Sequence, residues 1–309
     1  MAAFTAKDVQ ALRERTNVGM MDCKKALTEA DGDMDKAVDI LREKGLAAAT
    51  KKAGRIAAEG IVLAYTDDEK KLGVLVEVNS ETDFVAKNET FKELVLSIAK
   101  TAAYGDPADN DALLAMTCCG SDRTVQESFQ DAILKIGENM KLRRFIREEG
   151  VLSTYIHAGG TVGVMVKFVA DDSIAAKDEF KVMAKDIAMQ IAAMSPSYLE
   201  PAAVPADVLA HEKEILIAQM KEDPKMANKP EKVLENIVAG KIAKFYKENC
   251  LLDQAFVKDG DVDVKTYIAN TAKALGGEIK IEKYYRYAKG EGLQKKEDNF
   301  ADEVASMIK

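Results

Sequence analysis

The sequence contains no tryptophan and few of the residues that build most catalytic and metal sites. Among its 309 residues are only two histidines and four cysteines, Cys23, Cys118, Cys119 and Cys250. Their spacing does not match a zinc site, and the adjacent Cys118 and Cys119 are not a CxxC redox motif. With two histidines, a Ser-His-Asp arrangement for nucleophilic catalysis has little support. We therefore expect no cofactor, and the cysteine usage fits a reducing cytoplasm.

Charge and hydropathy argue against two further classes of protein. The net charge is −8 and the isoelectric point is about 5.1, whereas nucleic-acid binders normally carry a basic face. No stretch is long and apolar enough to cross a membrane, and the first residues lack the pattern of a secretory signal. No GxxxxGK[ST] phosphate loop is present. We therefore expect a protein that binds neither nucleic acid nor membrane directly.

Residues 1–54 have the caps and apolar periodicity of three short helices. Thr5 can cap the first helix, with Asp8 completing a capping box, and Asp33 can cap the third. Gly45 is a typical residue for ending that third helix. The pattern predicts a small three-helix domain with its own core.

The rest of the chain contains a duplication. The segment LGVLVEVNSETDFVAKNETFKELVLSIAKTAA (72–103) resembles VGVMVKFVADDSIAAKDEFKVMAKDIAMQIAA (162–193), first at an offset of 90 residues and then of 89. KIGENMKLRRFIR (135–147) likewise resembles ALGGEIKIEKYYR (274–286), at an offset of 139. Each copy predicts a β-β-α-α-β unit with helices on one sheet face, which is an α+β fold. The predicted strands lie near 60–66, 72–79, 140–147, 151–157, 162–169 and 278–287.

The growing offset means that the second copy contains about 50 extra residues. They fall after a Pro-rich break and have two helical patterns, which predicts an inserted helical hairpin. A short helix is also predicted at 299–309. The predicted domains are a three-helix N-terminal domain (1–54), core subdomain N (55–148), core subdomain C (149–195 and 256–288), the hairpin (196–255) and a C-terminal module (289–309).

The two copies differ where their second strand ends. Copy one reads NSETDFVAKNET and copy two reads VADDSIAAKDE, so only copy one places Phe84 and Val85 between polar residues of an expected loop. Phe84 could fold back onto the core, or it could remain exposed and bind a partner. A small-molecule enzyme that uses Glu81 and Asp83 for acid–base chemistry is a further, weaker alternative.

Two methionines raise a similar question in the three-helix segment. Met20 and Met21 follow a glycine and begin the second helix. One of them could close the small core, or both could form an adaptable protein-binding contact, to which methionine is well suited. A second class of function is therefore a helical adaptor that binds ubiquitin-like or nascent chains through residues 1–50.

Three segments resemble the bacterial elongation factor Ts family, which exchanges the nucleotide of elongation factor Tu. They are LRERTNVGMMDCKKALTEADGD (12–33), VNSETDFVAKN (78–88) and FADEVASMIK (300–309). The resemblance implies a ubiquitin-associated-like N-terminal domain, two related core subdomains, a coiled-coil hairpin inserted in the second, and a C-terminal helix module.

The resemblance also implies a function without covalent chemistry, and hence no enzyme. The protein would bind both GDP-bound and nucleotide-free elongation factor Tu, displace its magnesium ion, and promote release of GDP and exchange for GTP. The residues that match the magnesium-dislodging motif are Thr82, Asp83, Phe84 and Val85. The residues that match the partner-docking positions are Arg13, Met20 and Met21. Whether the hairpin also joins two copies into a homodimer is left open by the sequence.

Overall fold

The computed structural model describes residues 4–16, 18–222 and 230–294. These residues form twelve α-helices and eight β-strands in small antiparallel sheets, which confirms the mixed α+β class. The helix predicted at 299–309 lies outside the described residues. The five domain boundaries stay a prediction.

Three helices form the N-terminal segment, α1 (Ala6–Thr16), α2 (Met20–Glu29) and α3 (Met34–Lys52). The Asp33 cap is present, and at α1 the Asp8 half of the predicted capping box is present. Asp8 accepts hydrogen bonds from the backbone N–H and the hydroxyl of Thr5, at 2.6 and 2.8 Å. The Asp33 carboxylate accepts two backbone N–H groups at the start of α3, both at 3.0 Å. The three helices enclose one core, whose fully buried members are Leu12, Cys23, Ala26, Leu27 and Ala37.

The first core unit follows directly. It contains β1 (Glu59–Asp67), β2 (Leu72–Ser80), α4 (Asp83–Lys87), α5 (Glu89–Gly105), α6 (Asn110–Ala115), α7 (Val125–Ile136) and β3 (Met140–Glu149). The strands form an antiparallel sheet in the order β1-β2-β3. Apolar residues of α5 and α7 bury one face of this sheet, with Phe91, Val95 and Ile98 of α5 fully buried.

The prediction that Gly45 ends the third helix is wrong, because α3 continues to Lys52. Gly45 is buried where α3 packs against α7. A Cβ atom at Gly45 would lie 3.5 Å from the backbone oxygen of Gln130 on α7. At this ordinary van der Waals distance a small side chain would also fit, so glycine is not required for the contact between the two helices. A helix pattern within one segment cannot distinguish a glycine inside a helix from one that ends it.

The second core unit repeats the first and contains the insertion. Its elements are β4 (Val151–His157), β5 (Val162–Ala170), α8 (Asp172–Ala175), α9 (Asp178–Met194), α10 (Ala206–Glu222), α11 (Glu231–Asn249), β6 (Ala255–Phe256), β7 (Asp259–Asp263), α12 (Val264–Leu275) and β8 (Ile279–Ala288). The main sheet has the order β4-β5-β8. The six strands predicted from the duplication are confirmed, and α10 packs against α11 within the segment predicted to be inserted.

Both copies have a β-bulge at the same place, but with inverted charges. The β2–β3 register shifts after Glu77, and the β5–β8 register shifts after Lys167, which is 90 residues later. The extra residue is Arg143 in the first sheet and Glu282 in the second. Arg143 pairs with Glu77 at 2.8 Å, and Glu282 pairs with Lys167 at 3.2 Å. The duplication has therefore kept the ion pair while exchanging its signs.

The two sheets pack against each other through the faces that the helices leave uncovered. Three residues of this contact are buried, Val62, Leu75 and Met165. The equivalent glycines Gly73 and Gly163 both lie at the contact, where an added Cβ atom would press against Leu152 or Val62 of the opposite sheet. The missing side chains allow the sheets this close approach.

A buried carboxylate joins the turn after β8 to the first sheet. Glu77 is fully buried and accepts hydrogen bonds from the Gly290 backbone N–H at 2.8 Å and from Arg144 Nε at 2.7 Å. Burial alone raises the pKa of Glu77. Together, the donated hydrogen bonds outweigh this effect of burial and lower the pKa; they come from Gly290, Arg143, Arg144 and Asn79.

No helix in the described part of the chain is long and apolar enough to cross a bilayer.

Candidate functional site

The sequence Thr82 to Val85 begins a short helix rather than forming the predicted loop. Thr82 is the N-cap of α4, and its hydroxyl oxygen accepts the backbone N–H of Val85 at 3.4 Å. Thr and Asp are favourable at a helix start, since one side chain accepts an unpaired N–H and the other complements the helix dipole. The motif therefore forms the capped first turn of α4.

Within this turn, adjacent residues point in opposite directions. Phe84 is 79% exposed, whereas Val85 is 6% exposed and belongs to the core of the first unit. The alternative that Phe84 folds back onto the core is wrong. The expectation that Val85 lies in an exposed loop is also wrong, because Val85 anchors α4 to the sheet and helices beneath it.

Charged neighbours surround the Phe84 ring. Asp83 and Lys87 form an ion pair at 2.6 Å, and the Lys87 amine lies 5.8 Å from the centre of the Phe84 ring. The hydrogen bond from Lys87 lowers the pKa of Asp83, with a further contribution from the positive charge of Lys289. A general acid at neutral pH needs the opposite shift.

Glu81, the other carboxylate considered for acid–base chemistry, is engaged elsewhere. It accepts the backbone N–H of Asn139 at 2.6 Å and pairs with Arg55 at 3.4 Å. The two carboxylates thus have separate partners and structural roles. This arrangement counts against a site for acid–base catalysis.

The duplication provides an internal comparison for the turn. Ser173 of α8 occupies the position of Phe84, and Ile174 occupies that of Val85. Ile174 is 5% exposed, so the apolar anchor is present in both copies. Only the first copy adds an exposed aromatic ring to it. The ring is therefore not required by this fold and is available for another molecule.

The sequence did not reveal the residue that binds Thr82, the N-cap of α4. The Glu138 carboxylate, between α7 and β3, accepts the Thr82 backbone N–H at 3.0 Å and the Thr82 hydroxyl at 2.7 Å. The two residues are 56 positions apart. The available signal was the contrast between Gly137-Glu138-Asn139 and its copy-two counterpart Gly276-Gly277-Glu278.

The predicted docking residues lie on the N-terminal helices. Arg13 is exposed in the last turn of α1, and Met20 and Met21 begin α2 with exposed fractions of 51% and 64%. The alternative that one methionine closes the small core is wrong, since Val18 and Cys23 are the buried residues there. The structure thus has two candidate binding elements, the start of α2 and the α4 turn.

Within the described ranges, no group of three or more His, Cys, Asp or Glu side chains is arranged to hold a metal ion.

Comparisons with known proteins identify the family of the chain. The family model described as "Elongation factor TS" matches residues 81–291. Elongation factor Ts of Clostridium perfringens (strain SM101 / Type A) is 50% identical over 307 residues, which cover 98% of this chain and 99% of the relative. Elongation factor Ts of Clostridium botulinum (strain ATCC 19397 / Type A) is 47% identical over 309 residues, covering 99% of this chain and 98% of the relative. The chain therefore belongs to the elongation factor Ts family.

Proposed function

We propose that this translation elongation factor binds elongation factor Tu and accelerates GDP release by inserting Phe84 into the partner's nucleotide domain. The observation that carries the proposal is the contrast between Phe84, 79% exposed, and its buried neighbour Val85. An exposed aromatic ring on a fixed backbone loses little conformational freedom when it enters an apolar site. Displacement of the partner's magnesium ion and exchange for GTP follow from this insertion.

The energetics assign Phe84 a necessary but partial role. A thousandfold acceleration requires about 4 kcal/mol, at ~1.36 kcal/mol for each factor of ten. Burial of a phenylalanine side chain contributes ~1.5–3 kcal/mol. Loss of the magnesium ion, which neutralises phosphate charge, supplies the remainder. Asp83, through its ion pair with Lys87, keeps the first turn of α4 in place beside the ring.

The docking residues set the orientation in which Phe84 is inserted into the partner. Arg13, Met20 and Met21 are exposed at the α1–α2 corner and bind the nucleotide domain of the partner.

Coupling between sites is reciprocal, so a factor that weakens GDP binding is itself bound less tightly by the GDP-bound partner than by the nucleotide-free partner. The cycle therefore proceeds in the cytoplasm without a bond being made or broken in this protein. We leave homodimerisation through α10 and α11 as a separate proposal.

The test is release of fluorescent GDP from purified elongation factor Tu, followed by stopped flow with excess unlabelled GDP. We expect the full chain to accelerate release and Phe84→Ser, which installs the copy-two residue, to reduce the acceleration at least tenfold. Ser173→Ala is the matched control, because it changes the equivalent exposed position of α8. No acceleration by the unaltered chain would overturn the proposed function. Equal activity of Phe84→Ser and the unaltered chain would overturn the role of Phe84.

A further inference from the structure

We propose that Glu138 is a positioning residue that sets the orientation of Phe84 by fixing the N-cap of α4. This inference rests on the proposed function. Glu138 receives both the backbone N–H and the hydroxyl of Thr82, at 3.0 and 2.7 Å. Two hydrogen bonds from Thr82 to one carboxylate fix the orientation of Thr82 as well as its distance. Hydrogen bonds to a charged acceptor are also stronger than neutral ones. Thr82 is thereby held at the start of the turn that presents Phe84.

A second set of bonds stops Glu138 and Thr82 from moving together. Asn139 is 2% exposed, donates its backbone N–H to Glu81 at 2.6 Å, and donates its side-chain amide to the Arg55 carbonyl at 2.9 Å. The end of β2 and the α7–β3 turn are thus joined by bonds in both directions. We call these four residues, Glu81, Thr82, Glu138 and Asn139, the N-cap clamp.

The N-cap clamp is attached to the part of the fold that contains the docking residues. Gly137 ends α7 in the left-handed conformation, with φ of 88°, and the chain turns there directly into Glu138. The same helix α7 packs against α3, with Leu134 contacting the core of the three N-terminal helices. A continuous path of packed residues therefore leads from those helices through α7 to the turn that presents Phe84.

The second copy shows that this clamp is not a general requirement of the fold. The residue equivalent to Glu138 is Gly277, and the side chain of Ile174 occupies the space that a Cβ atom would need there. Asp171, which is equivalent to Thr82, makes no side-chain cap bond with α8. The copy without the aromatic ring folds its short helix without a clamp. The clamp and the exposed ring therefore occur together, which indicates that the clamp serves the ring.

The experiment compares Glu138→Ala with Glu127→Ala in the full chain. Glu127 is the matched control, because this exposed carboxylate also accepts the backbone N–H and the hydroxyl of a threonine, Thr124, at the start of the helix that precedes Glu138. We expect Glu138→Ala to lower the maximal rate of fluorescent GDP release from elongation factor Tu roughly tenfold. The factor concentration at half-maximal rate should change less than threefold, since the docking residues are intact. Glu127→Ala should leave the maximal rate within twofold.

Two further variants separate positioning from folding. Thr82→Ser keeps both donors and should lower the maximal rate less than Thr82→Val, which removes the hydroxyl. Combining Thr82→Val with Glu138→Ala should cost less than the product of the two separate effects, because both remove one contact. ¹⁹F spectra of fluorophenylalanine-labelled protein, with Phe84 assigned from Phe84→Ser, should show a sharper, shifted Phe84 signal only in the clamp variants.

The outcomes are distinguishable. If the unaltered chain does not accelerate release, the proposed function fails. If the unaltered chain is active but Glu138→Ala keeps the full maximal rate, or loses it only in proportion to the fraction unfolded by circular dichroism, the positioning role is wrong. A reduced maximal rate in a folded variant with an altered Phe84 signal supports it.

Discussion

Adjacent substitutions in α4 should separate function from stability. Phe84 is 79% exposed, so roughly four fifths of the ~1.5–3 kcal/mol available from burying a phenylalanine remains for a partner. Phe84→Ala should therefore reduce stimulated GDP release by about 1.2–2.4 kcal/mol, which is roughly 8- to 60-fold at ~1.36 kcal/mol for each factor of ten. The same substitution should change the free energy of unfolding by only ~0.5 kcal/mol, since little of the ring is buried.

Val85→Ala should show the reverse pattern. Val85 is 6% exposed within the core of the first unit, so removing two methyl groups should lower the free energy of unfolding by ~1.5–2.5 kcal/mol. Its maximal release rate should fall less than that of Phe84→Ala at a temperature where both variants are folded. Urea unfolding and stopped-flow release on the same preparations measure both quantities. Equal losses of activity in the two variants, or a large loss of stability in Phe84→Ala, would refute this reasoning.

Three other substitutions test the fold that supports the site. Gly45→Ala should stabilise the protein by ~0.5–1 kcal/mol in urea unfolding, because the new Cβ atom would lie at an ordinary 3.5 Å from the Gln130 oxygen; destabilisation would contradict the packing described for α3. Gly290→Ala should lower the melting temperature in calorimetry, because φ is 67° there and the added atom would meet the Ala58 oxygen. The lowered pKa of Glu77 contributes stability that is present above the ordinary value of 4.5 and is lost as the pH falls through the folded-state value. Glu77→Gln should therefore be less stable at pH 7 and show a flatter loss of stability in acid titration below pH 4.5.

The elements with regular apolar patterns could be predicted from sequence. The repetition of Gly73, Val74, Val76 and Val78 at an offset of 90 residues located the paired strands, and Val74, Val76 and Val78 lie on the face that contacts the helical layer. The inserted helices could also be predicted, since an offset that grows between two copies marks an insertion. These signals are local, or repeated within the chain, and need no knowledge of distant contacts.

The details that long-range contacts decide could not be predicted in this way. Phe84 and Val85 are adjacent apolar residues, and only the packing of α4 on its core decides which one is buried. Gly45 resembles a helix end until α7 is placed beside it. Glu138 carries no local mark of its role, because its partner Thr82 is 56 positions away.

The charge-inverted bulges have a consequence for folding. A chain with two copies of one β-β-α-α-β unit risks pairing the central strand of one copy with the last strand of the other. In such an exchange Lys167 would lose Glu282 and face Arg143 and Arg144, and Glu77 would lose both arginines and face Glu282 and Lys283. Like charges brought together away from water are strongly unfavourable. The opposite charges at the two bulges, Glu77 with Arg143 and Lys167 with Glu282, therefore favour pairing of each strand within its own sheet while the protein folds.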